Sequence, residues 1–266
     1  MAARFKRQGF RRRLKSMLKV DFRRMFTMPL VYIMVGACLV MPILILIMTT
    51  IMDGSVTVDP QTGVETVIEG FKNTWQAIGS TSDAGMMRMD ITGMCNINML
   101  YFFVAVLVCI FVADDFRSGY AKNLFTVRAK KGDYVVSKTL VCFVGGMLML
   151  IAFFIGTMLG GAISGLPFDL GAAGAGGVVM CMVAKLLLVA VFVPIYLLWS
   201  VAAKQKLWLS LVGSLGSGML LFMMVPMLTP LDSTMINVLM CAAGGILFSA
   251  GLGVISNRVL SKTSLV

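Results

Sequence analysis

The sequence contains no histidine, and this absence excludes several kinds of enzyme site at once. Zinc sites of the HExxH type, serine–histidine pairs and cysteine–histidine pairs all need an imidazole. The chain also has no GxxxxGK[ST] phosphate-binding loop, since the dipeptide Gly-Lys never occurs. We therefore expect neither an enzyme active site nor a cofactor or metal site in this chain, and no P-loop for ATP.

Paired cysteines are missing as well. No CxxC occurs, so neither a zinc site nor a disulfide framework is indicated. The cysteines stand singly, mostly inside apolar runs, where they are typical of small buried residues. Their positions are Cys38, Cys95, Cys109, Cys142, Cys181 and Cys241.

Charged residues are few, and most of the other residues are apolar. Only 13% of the residues are charged and 59% are hydrophobic, which is more apolar surface than a soluble domain of 266 residues could cover. This composition predicts an all-α integral membrane protein. The net charge of +11 does not indicate a nucleic-acid partner, because the basic residues flank apolar segments. There they are typical of topology signals and of contacts with anionic membrane lipids.

Six segments have the roughly 20 apolar residues that a membrane-spanning helix needs. We expect all six to be helical, because hydrocarbon offers backbone groups no other partner outside a closed barrel. The predicted spans are Leu30–Met52, Met94–Ala113, Thr139–Gly161, Val183–Ala203, Leu207–Met227 and Ile236–Ser256. Together they define a six-helix transmembrane domain over residues 29–256.

The charges between the spans predict the orientation. Ten of the 23 basic residues precede the first span, whereas half of the 12 acidic residues lie between Asp53 and Asp90. By the positive-inside rule, both termini and the loop 114–138 are cytoplasmic, and the loop 53–93 is external. Residues 257–266 form a cytoplasmic tail.

Residues 1–28 are too polar to span a membrane. Apolar residues recur at helical spacing with basic residues largely opposite, which predicts an amphipathic helix in the cytoplasmic interface. Arg24 follows Asp21 by three residues and is placed to pair with it. A plain positively charged anchor without a further role remains the alternative.

Two features near the outer face leave alternatives open. Phe71, Trp75 and Ile78 fall on one helical face and predict a short external helix resting on the outer interface, with a disordered loop as the alternative. Lys185 stands in the fourth span and either snorkels to outer water or faces a substrate.

The stretch from Asp114 to Lys138 is the most informative cytoplasmic segment. It resembles the region between the second and third spans of type-2 ABC transporter permeases, in the order Asp115, Arg117, Gly119, Lys122, Lys130 or Lys131, Tyr134 and Lys138. Many members have a proline before the basic cluster, where this chain has Val127-Arg128. The segment Leu18–Phe26 is also similar to the interfacial helix of that family.

The resemblance implies a function that the apolar composition alone does not give. It implies the membrane subunit of an ABC exporter in a bacterial plasma membrane, working with two ATPase subunits that bind ATP and Mg²⁺, and with a second permease, identical or homologous. The closest subset exports antimicrobial peptides such as bacteriocins or confers immunity to them. The coupling loop would seat on the ATPase through Arg117, Lys122, Asn123, Leu124, Phe125 and Arg128.

Other functions remain open from the sequence. An apolar patch of Leu124, Phe125 and Val127 is suited to docking on another protein, but a solvated loop without a partner has the same composition. A non-transport scaffold or sensor subunit, or a channel or facilitator that needs no ATPase, would also be helical and apolar.

Overall fold

The computed structural model describes residues 10–58, 65–80, 95–127 and 131–262. Apolar runs become α-helices, as the backbone argument requires. Within these ranges the α-helices are α1 (Phe10–Thr27), α2 (Pro29–Met52), α3 (Leu100–Arg117), α4 (Tyr120–Val127), α5 (Lys131–Ser164), α6 (Gly174–Ala203), α7 (Leu207–Phe222), α8 (Val225–Leu228) and α9 (Met235–Lys262).

Five of the described helices are long and apolar enough to cross a membrane, namely α2, α3, α5, α6 and α9. The predicted fifth span is interrupted: α7 ends at Phe222, and α8 begins three residues later, at Val225. Pro226 stands in the first turn of α8, where its missing N–H leaves no helical bond unmade. The chain is therefore a helical membrane protein, and the six-span count stays a prediction.

A small antiparallel hairpin follows α2. Strands β1 (Val56–Val58) and β2 (Glu65–Val67) pair with Val56 opposite Val67. This hairpin is the one pair of strands among the described residues, and the all-α prediction did not include it.

Small residues let α2 and α5 approach closely. A Cβ at Gly156 would overlap the backbone oxygen of Leu39, and one at Gly160 would stand 2.8 Å from the Cα of Ile43. Small residues at such spacing permit close helix contact in lipid, where apolar burial gives no drive of its own. The small-residue stripe of α5 therefore serves contact within the chain.

The core lies around α6, which packs against α3, α5, α7 and α9. A polar contact crosses this core where Ser200 of α6 lies 2.8 Å from Ser210 of α7. The α6–α9 contact uses another small residue, since a Cβ at Gly245 would lie 2.9 Å from the Cβ of Ala190. These contacts assemble one bundle.

The segment 71–80 corrects an expectation. Trp75 lies in a 3₁₀ turn (Thr74–Ala77) and is 8% exposed, and Ile78 is fully buried. Trp75 meets the ring of Phe168 edge-on, and Thr74 packs against Gly161 of α5. The segment does not rest on an outer interface, because it folds into the end of the bundle and closes it.

Candidate functional site

Four charged side chains meet where α1, α3, α4 and α5 come together. We define the charge cluster as Asp21 and Arg24 of α1, Asp115 of α3 and Lys138 of α5. Helix α5 has 34 residues and is about 51 Å long, against roughly 30 Å of hydrocarbon. Its first turns can thus extend past the apolar layer, and Lys138 lies in this part of the helix.

Lys138 is the centre of the charge cluster. Its Nζ lies 3.0 Å from Asp21 Oδ1 and 2.7 Å from Asp115 Oδ2, and all three side chains are fully buried. The ammonium also stands 3.8 Å from the centroid of the Phe111 ring. A buried charge is costly unless it is paired, and two carboxylates together with a ring face supply that compensation.

Neutral hydroxyl groups donate hydrogen bonds to both carboxylates. The hydroxyl of Ser137 donates to Asp21 Oδ2, and that of Tyr134 donates to Asp115 Oδ2 over 2.8 Å. Two acids and two bases make the charge cluster formally neutral. These ion pairs and hydrogen bonds fix the relative positions of the helices that contribute to them.

Arg24 corrects the expected pairing. Its guanidinium donates to Asp115 and, over 3.1 Å, to Asp114, and it does not pair with Asp21. Both residues of α1 pair with residues on other helices. Asp21 pairs with Lys138, and Arg24 pairs with Asp115, which also contacts Lys138. Spacing along α1 showed that the two residues were close, but not what surrounded them.

Tyr120 connects this cluster to α4. The guanidinium carbon of Arg24 lies 4.0 Å above the centre of the Tyr120 ring. Burial, followed by the nearby carboxylates of Asp21 and Asp115, raises the pKa of Tyr120 to about 12. Tyr120 therefore keeps its proton at neutral pH and contacts the cluster as a neutral ring.

Helix α4 lies within the predicted coupling loop 114–138. Gly119, with φ of +72°, makes the turn between α3 and α4, a conformation that favours glycine. Leu124 and Phe125 point inward and are half-buried, and the Phe125 ring meets Tyr134 edge-on at 5.4 Å. Part of their apolar surface thus packs on the chain's own core, and their docking on a partner stays a prediction.

The outward face of α4 is polar. Lys122, Asn123 and Thr126 are exposed. Arg117 is exposed too, and its Nη2 donates over 3.3 Å to the backbone oxygen of Gln205 between α6 and α7. Arg128 lies outside the described residues, so the structure brings together five of the six predicted coupling residues on or beside one short helix.

Lys185 forms a second buried polar site, at the opposite end of the bundle. Its side chain is fully buried, and Nζ donates to Asn98 Oδ1 over 2.7 Å and to Thr229 Oγ1 over 2.8 Å. Lys185 thus does not snorkel to water, because Asn98 and Thr229 cover it.

Sequence reasoning missed the role of three residues that it had in view. Asp115, Tyr134 and Lys138 belong to the stretch that carries the family resemblance, yet they were not selected as site residues. Two features of the sequence were the available signal. Tyr134 and Lys138 are four residues apart and so share one helical face, and the acidic Asp115 stands at the end of an apolar segment.

Comparison with known proteins gives one match. A family model described as ABC-2 family transporter protein matches residues 18–217. The matched range includes the whole charge cluster and α4. Among curated proteins and solved structures, none matches the chain.

Proposed function

We propose, because this chain belongs to the ABC-2 family of transporter proteins, that it is the permease subunit of an ATP-driven exporter. The family consists of multi-pass membrane components that associate with an ABC ATPase. In our proposal ATP and Mg²⁺ bind to two copies of that ATPase, and a second permease, identical or homologous, completes the complex. The complex lies in a bacterial plasma membrane with both termini of this chain in the cytoplasm.

The way α4 is held carries this proposal. Its inner face packs against the chain's core through Leu124 and Phe125, while Lys122 and Asn123 face outward. A solvated loop without a partner would need no such anchoring. An exposed polar face on a rigidly seated helix is suited to receive a partner and to transmit its movement.

Three contacts give that movement a route into the bundle. Gly119 joins α4 to α3, the Phe125–Tyr134 contact joins it to α5, and the Tyr120–Arg24 contact joins it to α1. A displacement of α4 by a closing ATPase would therefore move α1, α3 and α5 together. Rigid-body shifts of packed helices are a common form of conformational coupling.

The proposed substrate class is based on the apolar side chains that the bundle exposes. Helices α2, α7 and α9 expose many large apolar side chains, such as Trp208 at 81% exposure. A hydrophobic or amphipathic substrate could leave laterally along such surfaces without crossing a polar channel. We propose an antimicrobial peptide of the bacteriocin type as the exported substrate.

Co-purification tests the proposed partner. The tagged chain, extracted from its native membranes, should bring down a P-loop ATPase identifiable by mass spectrometry. Lys122→Glu combined with Asn123→Asp reverses the charge of the exposed face of α4 and should reduce ATPase recovery about tenfold, or about 1.4 kcal/mol of binding free energy.

Lys262→Glu is the matched control, because Lys262 is exposed in the last turn of α9. It should leave ATPase recovery unchanged, and both variants should elute like the wild type in gel filtration. Equal recovery with the α4 variant would refute the coupling role, and absence of any ATPase from the wild-type preparation would refute the exporter itself. The substrate class is tested separately, by ATP-dependent peptide uptake into inside-out vesicles.

A further inference from the structure

A groove runs between α5 and α9 at the end of the bundle where α1 lies. It encloses about 450 Å³, within the roughly 300–1,000 Å³ typical of small-molecule sites. Its walls come from the first turns of α5 and from the second half of α9, and Phe10 of α1 contributes one edge.

The groove is closed at one end and open along one side. Gly132 and Asn257 approach closely, since a Cβ at Gly132 would lie 3.5 Å from Asn257 Oδ1, and Lys131 Nζ donates over 2.8 Å to the backbone oxygen of Leu260. Along the open side Leu140 is 41% exposed and Val254 is 54% exposed. A bundle in a bilayer presents this open side to lipid chains.

Basic side chains stand beside the closed end. Arg13 Nε lies 2.8 Å from Asp133, which is the one acidic residue of α5, and α9 contains no acidic residue. Lys131 precedes the lining residue Gly132, and Arg258 follows the lining residue Asn257. Within the described part of the chain, three basic residues against one carboxylate make this end of the groove positive.

We propose that the groove seats an acyl chain of an anionic phospholipid, with the lipid phosphate against Arg13, Lys131 and Arg258. An apolar groove with basic residues at one end matches a molecule that has an apolar chain and an anionic head. A second copy of the chain fits less well, because a symmetric contact would bring the same basic end against itself. The proposal requires a membrane-inserted chain but no ATPase, so it stands or falls separately from the transport function.

Two glycines of α9 provide a matched pair of variants. Gly253 lines the groove, whereas Gly251 is exposed and lies outside it, and at both positions an added Cβ meets nothing within 4 Å. Gly253→Leu therefore fills the groove, and Gly251→Leu adds the same side chain to the surface. At neither position would the new Cβ crowd a neighbour.

The experiment uses the purified full chain in phosphatidylcholine vesicles that contain phosphatidylglycerol with a diazirine in one acyl chain. After irradiation, mass spectrometry should locate cross-links in residues 132–140 and 249–257 of the wild type. Gly253→Leu should lower this labelling about tenfold, or about 1.4 kcal/mol. Gly251→Leu should leave it unchanged. Unlabelled phosphatidylglycerol should compete with the probe better than phosphatidylcholine does.

The charge is tested with Arg258→Gln, which should reduce the preference for phosphatidylglycerol, and Lys262→Gln serves as its control. Equal competition by the two lipids, or labelling of Gly253→Leu at the wild-type level, would show ordinary surrounding lipid and overturn the proposal. Cross-links from this groove to a second copy of the chain would identify a protein interface and overturn it as well.

Discussion

Two buried lysines sit in opposite halves of the bundle and differ in their compensation. Lys138 has two carboxylates, Asp21 and Asp115, within 3.0 Å and an aromatic ring beneath it. Among the residues that the structure describes, the partners of Lys185 are the neutral oxygens of Asn98 and Thr229. Both side chains are fully buried, so exposure cannot distinguish them, whereas their partners do.

The difference indicates what each lysine contributes. Removing one member of a balanced ionic cluster leaves opposite charges buried without a partner, which is strongly destabilising. Removing a buried cation that has only neutral partners eliminates a desolvated charge, and one or two oxygens each lose a hydrogen bond. We therefore expect Lys138 to hold helices together and Lys185 to contribute little to stability.

The largest effect is expected for Lys138→Met. The substitution keeps an apolar stem of similar length but leaves Asp21 and Asp115 with one cation between them. By analogy with broken buried ion pairs, the free energy of unfolding should fall by roughly 3–5 kcal/mol. Denaturant unfolding of the purified chain, followed by tryptophan fluorescence, measures this change.

Combining Lys138→Met with Asp115→Asn provides the internal control. The double variant removes one charge of each sign, so it should lose less stability than the sum of the two single variants. Simple additivity would mean that the two charges do not interact, and the description of the charge cluster would then fail.

Lys185→Met is the matched substitution at the other buried lysine. Because its partners are neutral, we expect the free energy of unfolding to change by no more than about 1 kcal/mol in either direction. The same denaturant experiment compares the two lysines directly. A loss as large as that of Lys138→Met would contradict the comparison and would give Lys185 a structural role of equal weight.

Tyr120→Phe sharpens the description of the charge cluster at alkaline pH. The pKa of Tyr120 is raised to about 12 by burial and by the carboxylates of Asp21 and Asp115, against about 10 in an unfolded chain. Between pH 10 and pH 12 the Tyr120 hydroxyl is ionised to a greater extent in the unfolded state than in the folded state. The contribution of Tyr120 to stability is therefore full below pH 10 and is lost as the pH rises through 12.

The variant keeps the ring that faces Arg24 and removes only the ionisable hydroxyl. The difference in unfolding temperature between pH 9 and pH 11 should therefore be smaller for Tyr120→Phe than for the wild type. An identical pH dependence would mean that Tyr120 titrates at its ordinary value and lies outside the influence of the cluster.

The smallest effect is expected at an exposed ion pair outside the bundle core. Asp53, directly after α2, accepts from the Gly70 N–H over 2.9 Å and from Lys72 Nζ over 3.0 Å, and these bonds lower its pKa. Its contribution is therefore present above the unfolded pKa of about 4 and is lost as the pH falls through the lower folded value.

Asp53→Asn should leave the unfolding temperature at pH 7 almost unchanged, because exposed ion pairs contribute little. It should also reduce the loss of unfolding temperature between pH 5 and pH 3. A large effect at neutral pH would mean that an exposed pair stabilises the chain as much as the buried cluster does.

Several features were predictable because local composition fixes them. The apolar runs gave helices, since backbone groups in hydrocarbon must pair within their own segment, and the basic segment before the first span gave α1. The packing of Leu124 and Phe125 on the chain's own core was not predictable, because the apolar face of a short helix fits a partner protein equally well.

The sequence by itself determined that this protein is helical and lies in a membrane, because hydropathy depends on composition alone. Only the tertiary structure decided that Arg24 pairs with Asp115 rather than Asp21, that Lys185 is enclosed, and that segment 71–80 closes the bundle. Those outcomes depend on which helices meet, and contacts between residues far apart in the sequence leave no periodic trace in the chain.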